Sequence, residues 1–486
     1  MGTQKRGHKN RSQNADRQPR KNNNNNSSVY CKIQPPSTSD LQSSAANGSE
    51  YFCSEPSFMN GAIEEEYYHG LLLKDDCQSL LRQSGDFLVY STVLSPRAPD
   101  QVHLMVLVSA EVVDLPLLQR GYGASTRVCF SDELKENFDT LKMLMRHHMK
   151  KQPTVKENVV LRTPVVKKDW EILHSKIELK MKFGEGAQAE VHRGLYDRTD
   201  NKGQAIDVAV KVHKGEMNLE TLREVMHEVR IMLQFNHENI VKFYGVATCR
   251  APMMLVMELV HGGGLNRYLK IKRNEVSTQQ RMMMCLDAAR GLEYIHSLGI
   301  IHRDVASRNC LYSQSKQRVL ISDFGLSQQS EFYRIDPTKP LPIRWLAPEV
   351  MSTFSCTRMA DIWGYGILCW EIFNNAQEPY KELLQKDVKA KVVEGYRLHF
   401  MSASVPKDFV EIVNRCWEGN PHNRPTMNDI VKVLKPLVGE RKSGVGAVRN
   451  PVHKGRKPLG KENLRGNKNG DVGEGRSHMA PMMKRR

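Results

Sequence analysis

Gly184-Glu185-Gly186 interrupts two strand-like stretches in IELKMKFGEGAQAEV, and Val208-Ala209-Val210-Lys211 follows as an apolar strand ending in one lysine. Glycines in such a loop let backbone N–H groups close over phosphate oxygens with no Cβ in the way. A helix after the loop would point to a dinucleotide fold; the strand opened by Val191 points instead to a lid over nucleotide phosphates. Seventeen residues after Lys211, Glu228 lies in the amphipathic stretch LREVMHEVRIML, where it can aim the lysine at the α- and β-phosphates. Taken singly, a surface lysine, a solvated glutamate and a short glycine turn are all commonplace.

The stretch IIHRDVASRNCL makes coincidence untenable, because it sets His302, Arg303, Asp304 and Asn309 in order behind an apolar strand. Downstream, ISDFGLS adds Asp323, with Phe324-Gly325 as a flexible switch beside it. Asp304 would accept the proton of a substrate hydroxyl or orient that hydroxyl in line with phosphorus. Asn309 and Asp323 would hold magnesium, whose octahedron can be completed by phosphate oxygens and water. A transferred phosphoryl group forms little covalent bonding to protein, so position and positive charge carry the catalysis.

These residues need a body to converge in. The chain has 486 residues, enough for two or three domains, and 40% of them are hydrophobic. No apolar run approaches the roughly 18 residues of a membrane span, and MGTQKRGHKN lacks the core of a signal peptide. Ten scattered cysteines without a C-x-x-C pair suit a reducing cytosol and offer no zinc site. The net charge of +17 belongs to the ends, since residues 1–36 carry +7 and residues 441–486 carry +10. Residues 1–60, with the run Asn22 to Asn26, and residues 441–486 read as disordered basic tails. Such tails suit contact with an anionic membrane surface; no aromatic–basic platform accompanies them, so no specific nucleic-acid partner is expected. Order is expected from near Tyr67, where KDDCQSLLRQ, DFLVYST, VHLMVLVSA and FDTLKMLMRHHM read as helix, two strands and helix of a small α+β module. A linker from Thr163-Pro164 to Lys168 separates it from a larger unit, strand-rich first and helical later.

Residues 177–437 resemble a eukaryotic protein kinase domain. Beyond the motifs above, they match it at Ala347-Pro348-Glu349, at Arg424 as the expected ion-pair partner of that glutamate, and at Asp361 and Trp363 in MADIWGYGILCWE. The resemblance implies ATP and magnesium as cofactors, with Asp304, Lys211, Glu228, Arg308 and Asn309 catalytic and Asn309 and Asp323 on the metal. It implies an ATP pocket formed by Phe183, Gly184, Glu185, Gly186, Ala187, Val191, Ala209, Lys211, Met257, Glu258, Val260 and Leu311. Serine/threonine kinases usually put a lysine two residues after the catalytic aspartate. Here that position is Ala306 and the charge comes at Arg308, as in tyrosine kinases, and Pro342-Ile343-Arg344-Trp345 resembles their substrate platform. MELVHGGGLNRYL and HRDVASRNC are most similar to the Fes/Fer group of non-receptor tyrosine kinases. Protein tyrosines are therefore the expected substrates, and Tyr333 in the activation segment the expected autophosphorylation site.

YYHGLLLKDDCQSLLRQSGDFLVYST resembles the start of an SH2 domain, extending over residues 67–165, so a docking partner is also implied. The arginine that this family uses against phosphotyrosine is here Tyr90, and Lys74 falls where a second phosphate-binding arginine often sits. Weak or absent phosphotyrosine binding follows, with the module packing on the kinase or taking an unphosphorylated partner. The lid departs too, with Ala189 at its third glycine and Gln188 at its tip. The expected fold is α+β: a bilobal kinase with a β-rich N-lobe and helical C-lobe behind a small SH2-like domain. It should act in the cytoplasm or at the inner face of the plasma membrane. The competing reading, a pseudokinase scaffold, would ordinarily have lost Lys211, Asp304 or Asp323, and all three are present.

Overall fold

The computed structural model describes residues 57–439 apart from 94–100, 122–125, 132–136, 152–153, 156–158, 187, 199–202 and 401–404. Of the expected tails, 1–60 and 441–486, residues 1–56 and 441–486 lie outside the described residues, as does Ala187. Order begins before Tyr67: Ser57–Met59 forms one 3-10 turn, because Phe58 and Met59 bury themselves in the core that holds Tyr67, Phe87 and Leu141.

In the front module β1 (Tyr68–Leu71) and α1 (Lys74–Leu80) lead into β2 (Asp86–Thr92), β3 (Gln101–Val108) and β4 (Glu111–Pro116). A short hairpin of β5 (Leu118–Arg120) and β6 (Arg127–Cys129), then α2 (Leu141–Lys151) and β7 (Thr163–Pro164), complete it. β2–β3 and β3–β4 are antiparallel, whereas β1 and β7 run parallel to β2 along its second and first halves. The segment read as a linker thus begins as a strand, paired to Asp86 and Phe87. Strand alternation divides β2 between two cores. Phe87 and Val89 pack with Leu141 and Leu144 of α2, while Leu88 and Tyr90 join a cluster with Leu71, Cys77 and Leu81 that continues into the kinase body.

Beside that shared cluster, the junction includes close polar contacts. Leu71 N–H donates to Thr248 O at 2.7 Å, and Thr248 Oγ1 donates to His69 O at 2.8 Å. Buried His69 sets its two ring nitrogens 2.7 Å from Glu171 Oε2 and 2.9 Å from Val165 O. Gly70 permits the approach: its φ is +74°, and a Cβ would stand 2.3 Å from Thr248 O.

The second sheet runs in the order β11 (Phe243–Ala247), β12 (Met254–Glu258), β10 (Ala205–His213), β9 (Ala189–Asp197), β8 (Ile177–Glu185), antiparallel throughout. Between β10 and β11 lies α3 (Leu219–Met232), started by Asn218, whose side chain accepts the Thr221 N–H at 2.8 Å. Arg230 on α3 pairs with Asp76 of α1 at 2.9 Å, so the front module leans on this helix.

The second lobe is built from α4 (Leu265–Lys272) and α5 (Thr278–Ser297), the short strands β13 (Ile300–Ile301), β14 (Cys310–Ser313), β15 (Arg318–Ile321), β16 (Gln328–Gln329) and β17 (Tyr333–Arg334), and α6 (Pro348–Thr353). Then come β18 (Ser355–Cys356), α7 (Arg358–Phe373), α8 (Gln385–Val393), α9 (Lys407–Cys416) and α10 (Met427–Val438). Ser277 and Gln280 form a capping box on α5, as Thr426 and Asp429 do on α10. α7 is buried along its whole length from Asp361 to Ile372, and such an all-round apolar helix belongs at a lobe's centre. No helix among the described residues is long and apolar enough to cross a membrane.

Replacing Gly70 by Ala should loosen the junction, since the new Cβ meets a backbone carbonyl at a φ that costs an L-residue about 1–2 kcal/mol even in open space. The expected outcome is a lower melting midpoint and faster proteolysis between residues 165 and 171. Wild-type values for both would refute the importance of this contact.

Candidate active site

Lys211 stands on β10, where the apolar residues Val208, Val210 and Val212 bury one side of the strand and turn Lys211 toward the opposite face. Its Nζ lies 2.8 Å from each carboxylate oxygen of Glu228 on α3 and 3.8 Å from Asp323 Oδ1. Glu228 is buried, so the pair is bidentate and largely shielded from water. The switch residue Phe324 is fully buried, with ring centroids 4.7 Å from Phe235 and 5.3 Å from His302. Asp323 itself takes a positive φ of 62°. The strand lysine, the helix glutamate and Asp323 therefore converge.

Most residues of the expected ATP pocket lie on β8, β9, β10, β12 and β14. Phe183, Gly184 and Glu185 end β8, and Gly186 N–H donates to Ala189 O at 2.8 Å across the lid turn. Val191 is cross-strand from Lys211, and Ala209 is cross-strand from Met257. Leu311 on β14 is bridged to Gly264, just past the connection that carries Glu258 and Val260. The Glu185 side chain turns outward to Lys214 and Lys182, whose hydrogen bonds hold its carboxyl below the usual range.

The catalytic loop hangs from α7. Asp361 accepts the backbone N–H groups of His302 at 2.7 Å and Arg303 at 2.8 Å, and lies 2.9 Å from His296 Nε2. Burial alone would raise its pKa, but the bonds from His296 and His302 outweigh burial and hold it below the usual carboxylate range. One helical stretch further along, Glu371 accepts Ser307 N–H at 2.9 Å and Ser307 Oγ–H at 2.6 Å; burial pushes its carboxyl up. Between these two anchors, Asp304 receives a hydrogen bond from Arg308 Nη2 on Oδ1 and one from Asn309 Nδ2 on Oδ2, the latter at 2.6 Å. Ala306 is buried and carries no charge.

Asn309 is suited to a hard divalent cation. Its Nδ2 donates to Asp304 O and Oδ2, which leaves Oδ1 buried with no hydrogen-bond partner. The Asn309 carbonyl accepts both Ser322 N–H and Ser322 Oγ–H at 2.9 Å, and Asp323 follows directly. An amide oxygen and a carboxylate brought together this way are the donors magnesium takes alongside phosphate. Among the described residues no cluster of three or more His, Cys, Asp or Glu could hold a metal by itself, so the phosphates would have to share the coordination.

The platform expected at Pro342 to Trp345 is anchored by Arg344, which donates to the carbonyls of Pro379 at 2.9 Å, Tyr380 at 2.6 Å and Leu383 at 2.9 Å. Trp345 lies under the Arg308 guanidinium, 4.1 Å from it to the ring centroid. Arg424 and Glu349 form the expected pair, with two N–H···O bonds of 2.7 Å. Tyr333, cross-strand from Cys356, carries the Arg303 guanidinium over its ring at 4.2 Å. In the front module the phenol of Tyr90 and the ammonium of Lys74 meet at one carboxylate, Asp114.

Residues 177–434 match the family model of the protein tyrosine and serine/threonine kinases. Tyrosine-protein kinase Fer of Mus musculus is 34% identical over 383 residues, covering 76% of this chain and 44% of that protein. Fer-related kinase 1 of Caenorhabditis elegans is 33% identical over 380 residues, covering 78% of this chain and 95% of that protein. The transforming protein Fps of Fujinami sarcoma virus is 32% identical over 393 residues, 78% of this chain and 42% of that protein. The chain thus spans less than half the length of the mouse and viral relatives and nearly all of the worm one. It belongs to the protein tyrosine and serine/threonine kinase family, in its Fes/Fer-like group.

Sequence reasoning missed Glu371, the Trp345–Arg308 stack, the lid lysines 182 and 214, and Asp114. Trp345, Arg308, Glu371 and Lys182 all stood in stretches already singled out, but their partners were not evident there; Lys214 and Asp114 lay outside every motif.

Trp345→Ala should lower kcat about tenfold, the equivalent of ~1.4 kcal/mol for a partly desolvated cation–π contact, with KM for ATP within about twofold. Trp345→Phe keeps a ring beneath Arg308 and should retain most of the rate. Equal rates for Trp345→Ala and wild type in a steady-state peptide assay would show that the stack does not position Asp304.

Proposed function

We propose that this chain is a non-receptor protein tyrosine kinase that moves the γ-phosphoryl group of ATP onto tyrosine side chains of protein substrates in intracellular signalling. The observation that carries this reading is the Asp304 carboxylate, held by Arg308 from the fourth position after it and by Asn309, with Arg308 itself resting on the platform residue Trp345. A loop of the serine/threonine kind would bring a lysine to the place that buried Ala306 holds.

In the proposed reaction Asp304 takes the phenolic proton as the phenol oxygen bonds to the γ-phosphorus. The bond from that phosphorus to the β–γ bridging oxygen breaks, leaving phosphotyrosine, ADP and a proton. Lys211, kept in place by Glu228, meets the α- and β-phosphates; Arg308 brings positive charge beside the transferred group. Magnesium, when bound through Asn309 and Asp323, supplies charge neutralisation across the phosphates. Phe183 to Gly186, Ala187, Val191, Ala209, Met257, Glu258, Val260 and Leu311 would enclose the nucleotide.

Tyr333 is the proposed autophosphorylation site. Its ring already rests against Arg303, so a phosphate there would exchange a cation–π contact for an ion pair with the same guanidinium. Residues 67–165 are proposed to be an SH2-like domain with a degenerate phosphate pocket at Tyr90 and Lys74, packed on the kinase. A cytoplasmic location, with peripheral contact to the inner membrane face through the basic tails, fits the charge distribution.

Purified protein with Mg-ATP and a tyrosine-containing peptide pool should label phenols, and Asp304→Asn should lose at least about 100-fold in kcat. Nucleotide binding without any labelling would leave a docking scaffold instead. Tyr333→Phe should lose the gain in specific activity that wild type shows on preincubation with ATP; an undiminished gain would exclude Tyr333 as the regulatory site.

A further inference from the structure

The front module contains a charged cluster that the kinase reaction does not use. Asp114 on β4 receives the Tyr90 phenol, 3.2 Å from each carboxylate oxygen. It also lies 3.0 Å from His103 Nδ1 on β3 and 2.9 Å from Lys74 Nζ at the start of α1. Tyr90 is buried, and the side chains of Asp114 and His103 are each only 15% exposed. Burial works against ionisation of Asp114, but the bonds from His103 and Lys74 outweigh it and hold the carboxyl below its usual range. At neutral pH the cluster therefore has an anion at its centre, and the charge of Lys74 is already matched.

We propose that Asp114 is the resident anion of this pocket, taking the donors that a phosphate would need and making the front module blind to phosphotyrosine. The inference rests on the SH2-like reading of residues 67–165 and adds a determinant to it. Lys74, which falls where a second phosphate-binding arginine often sits, is committed to Asp114. An incoming phosphate dianion would meet a carboxylate with a neutral phenol beside it, so repulsion replaces the charge-assisted bonds that would favour binding. The geometry also couples positions 90 and 114. A guanidinium introduced at 90 would emerge beside both Asp114 oxygens and pair with them bidentately, so arginine alone restores little. Only removal of the carboxylate together with the new arginine frees two cations for phosphate.

The test uses the full chain without ATP, titrated by fluorescence anisotropy with a labelled phosphotyrosine peptide and its unphosphorylated twin. Wild type should bind the two within about twofold, Tyr90→Arg should favour the phosphopeptide by no more than about threefold, and Tyr90→Arg/Asp114→Asn by about thirtyfold or more. Melting curves identify a misfolded variant, and Tyr90→Lys/Asp114→Asn serves as the second pair should the first melt early. A phosphate preference above about tenfold in wild type, or a full gain by Tyr90→Arg alone, would overturn the role of Asp114 while keeping the SH2-like reading. No preference in a folded double variant would overturn both. Tyrosine kinase activity is measured separately on the same preparations, so its failure is distinguishable from either.

Discussion

A left-handed backbone turn at Arg303, with φ of 71°, puts the Asp304 side chain where a substrate can reach it, and the surrounding structure has to hold that turn against its intrinsic cost. Asp361 does so by accepting two consecutive amide N–H groups that lead into the kink, from the most buried helix of the lobe. A carboxylate in that position tolerates burial only because both of its oxygens are saturated by strong donors. Glu371, ten residues further along the same helix, repeats the device at Ser307. The loop is thus suspended at two points from one rigid rod, and Asp304, Arg308 and Asn309 take their geometry from the span between them.

The first lobe meets this loop through a second constraint of the same chemical kind. Lys211 can face phosphate only if α3 brings Glu228 to it, and α3 is held by contacts at several points. Arg230 pairs with Asp76 of the front module, and His227 Nε2 lies 2.8 Å from Ser327 O in the activation segment. Lys339 reaches Glu224 on the same helix at 3.2 Å. Exposed pairs of this sort contribute little stability singly. Their effect here is positional, since they tie α3 to the front module at one point and to the segment after Asp323 at two.

In the front module Tyr90, His103 and Lys74 close a hydrogen-bonded network around Asp114. Arginine at position 90 and carboxylate at 114 would neutralise one another, whereas tyrosine with carboxylate makes a closed, nearly neutral network. The same strand, β2, supplies Phe87 and Val89 to the module's own core and Leu88 and Tyr90 to the cluster shared with the kinase. Tyr90 is therefore both a packing residue of the shared core and a hydrogen-bond partner of Asp114.

Much of the catalytic site was legible from residue order, because Asp304, Ala306, Arg308 and Asn309 are neighbours in one loop and their spacing alone states which chemistry they serve. The strand bearing Lys211 and the helix bearing Glu228 were likewise evident from their residue patterns, and Asp323 from its place in ISDFGLS. The turn at Ser57–Met59 was not, since two apolar side chains within a polar segment mean little until a core is there to receive them. Partnerships across long separations were decided by tertiary structure alone. Trp345 finds Arg308 through the platform's anchorage at Arg344, and Asp114 finds Tyr90 through the register of β2, β3 and β4, where a one-residue slip would turn it to the other face. Local spacing can encode a motif, but register and packing choose which distant charge stands opposite it.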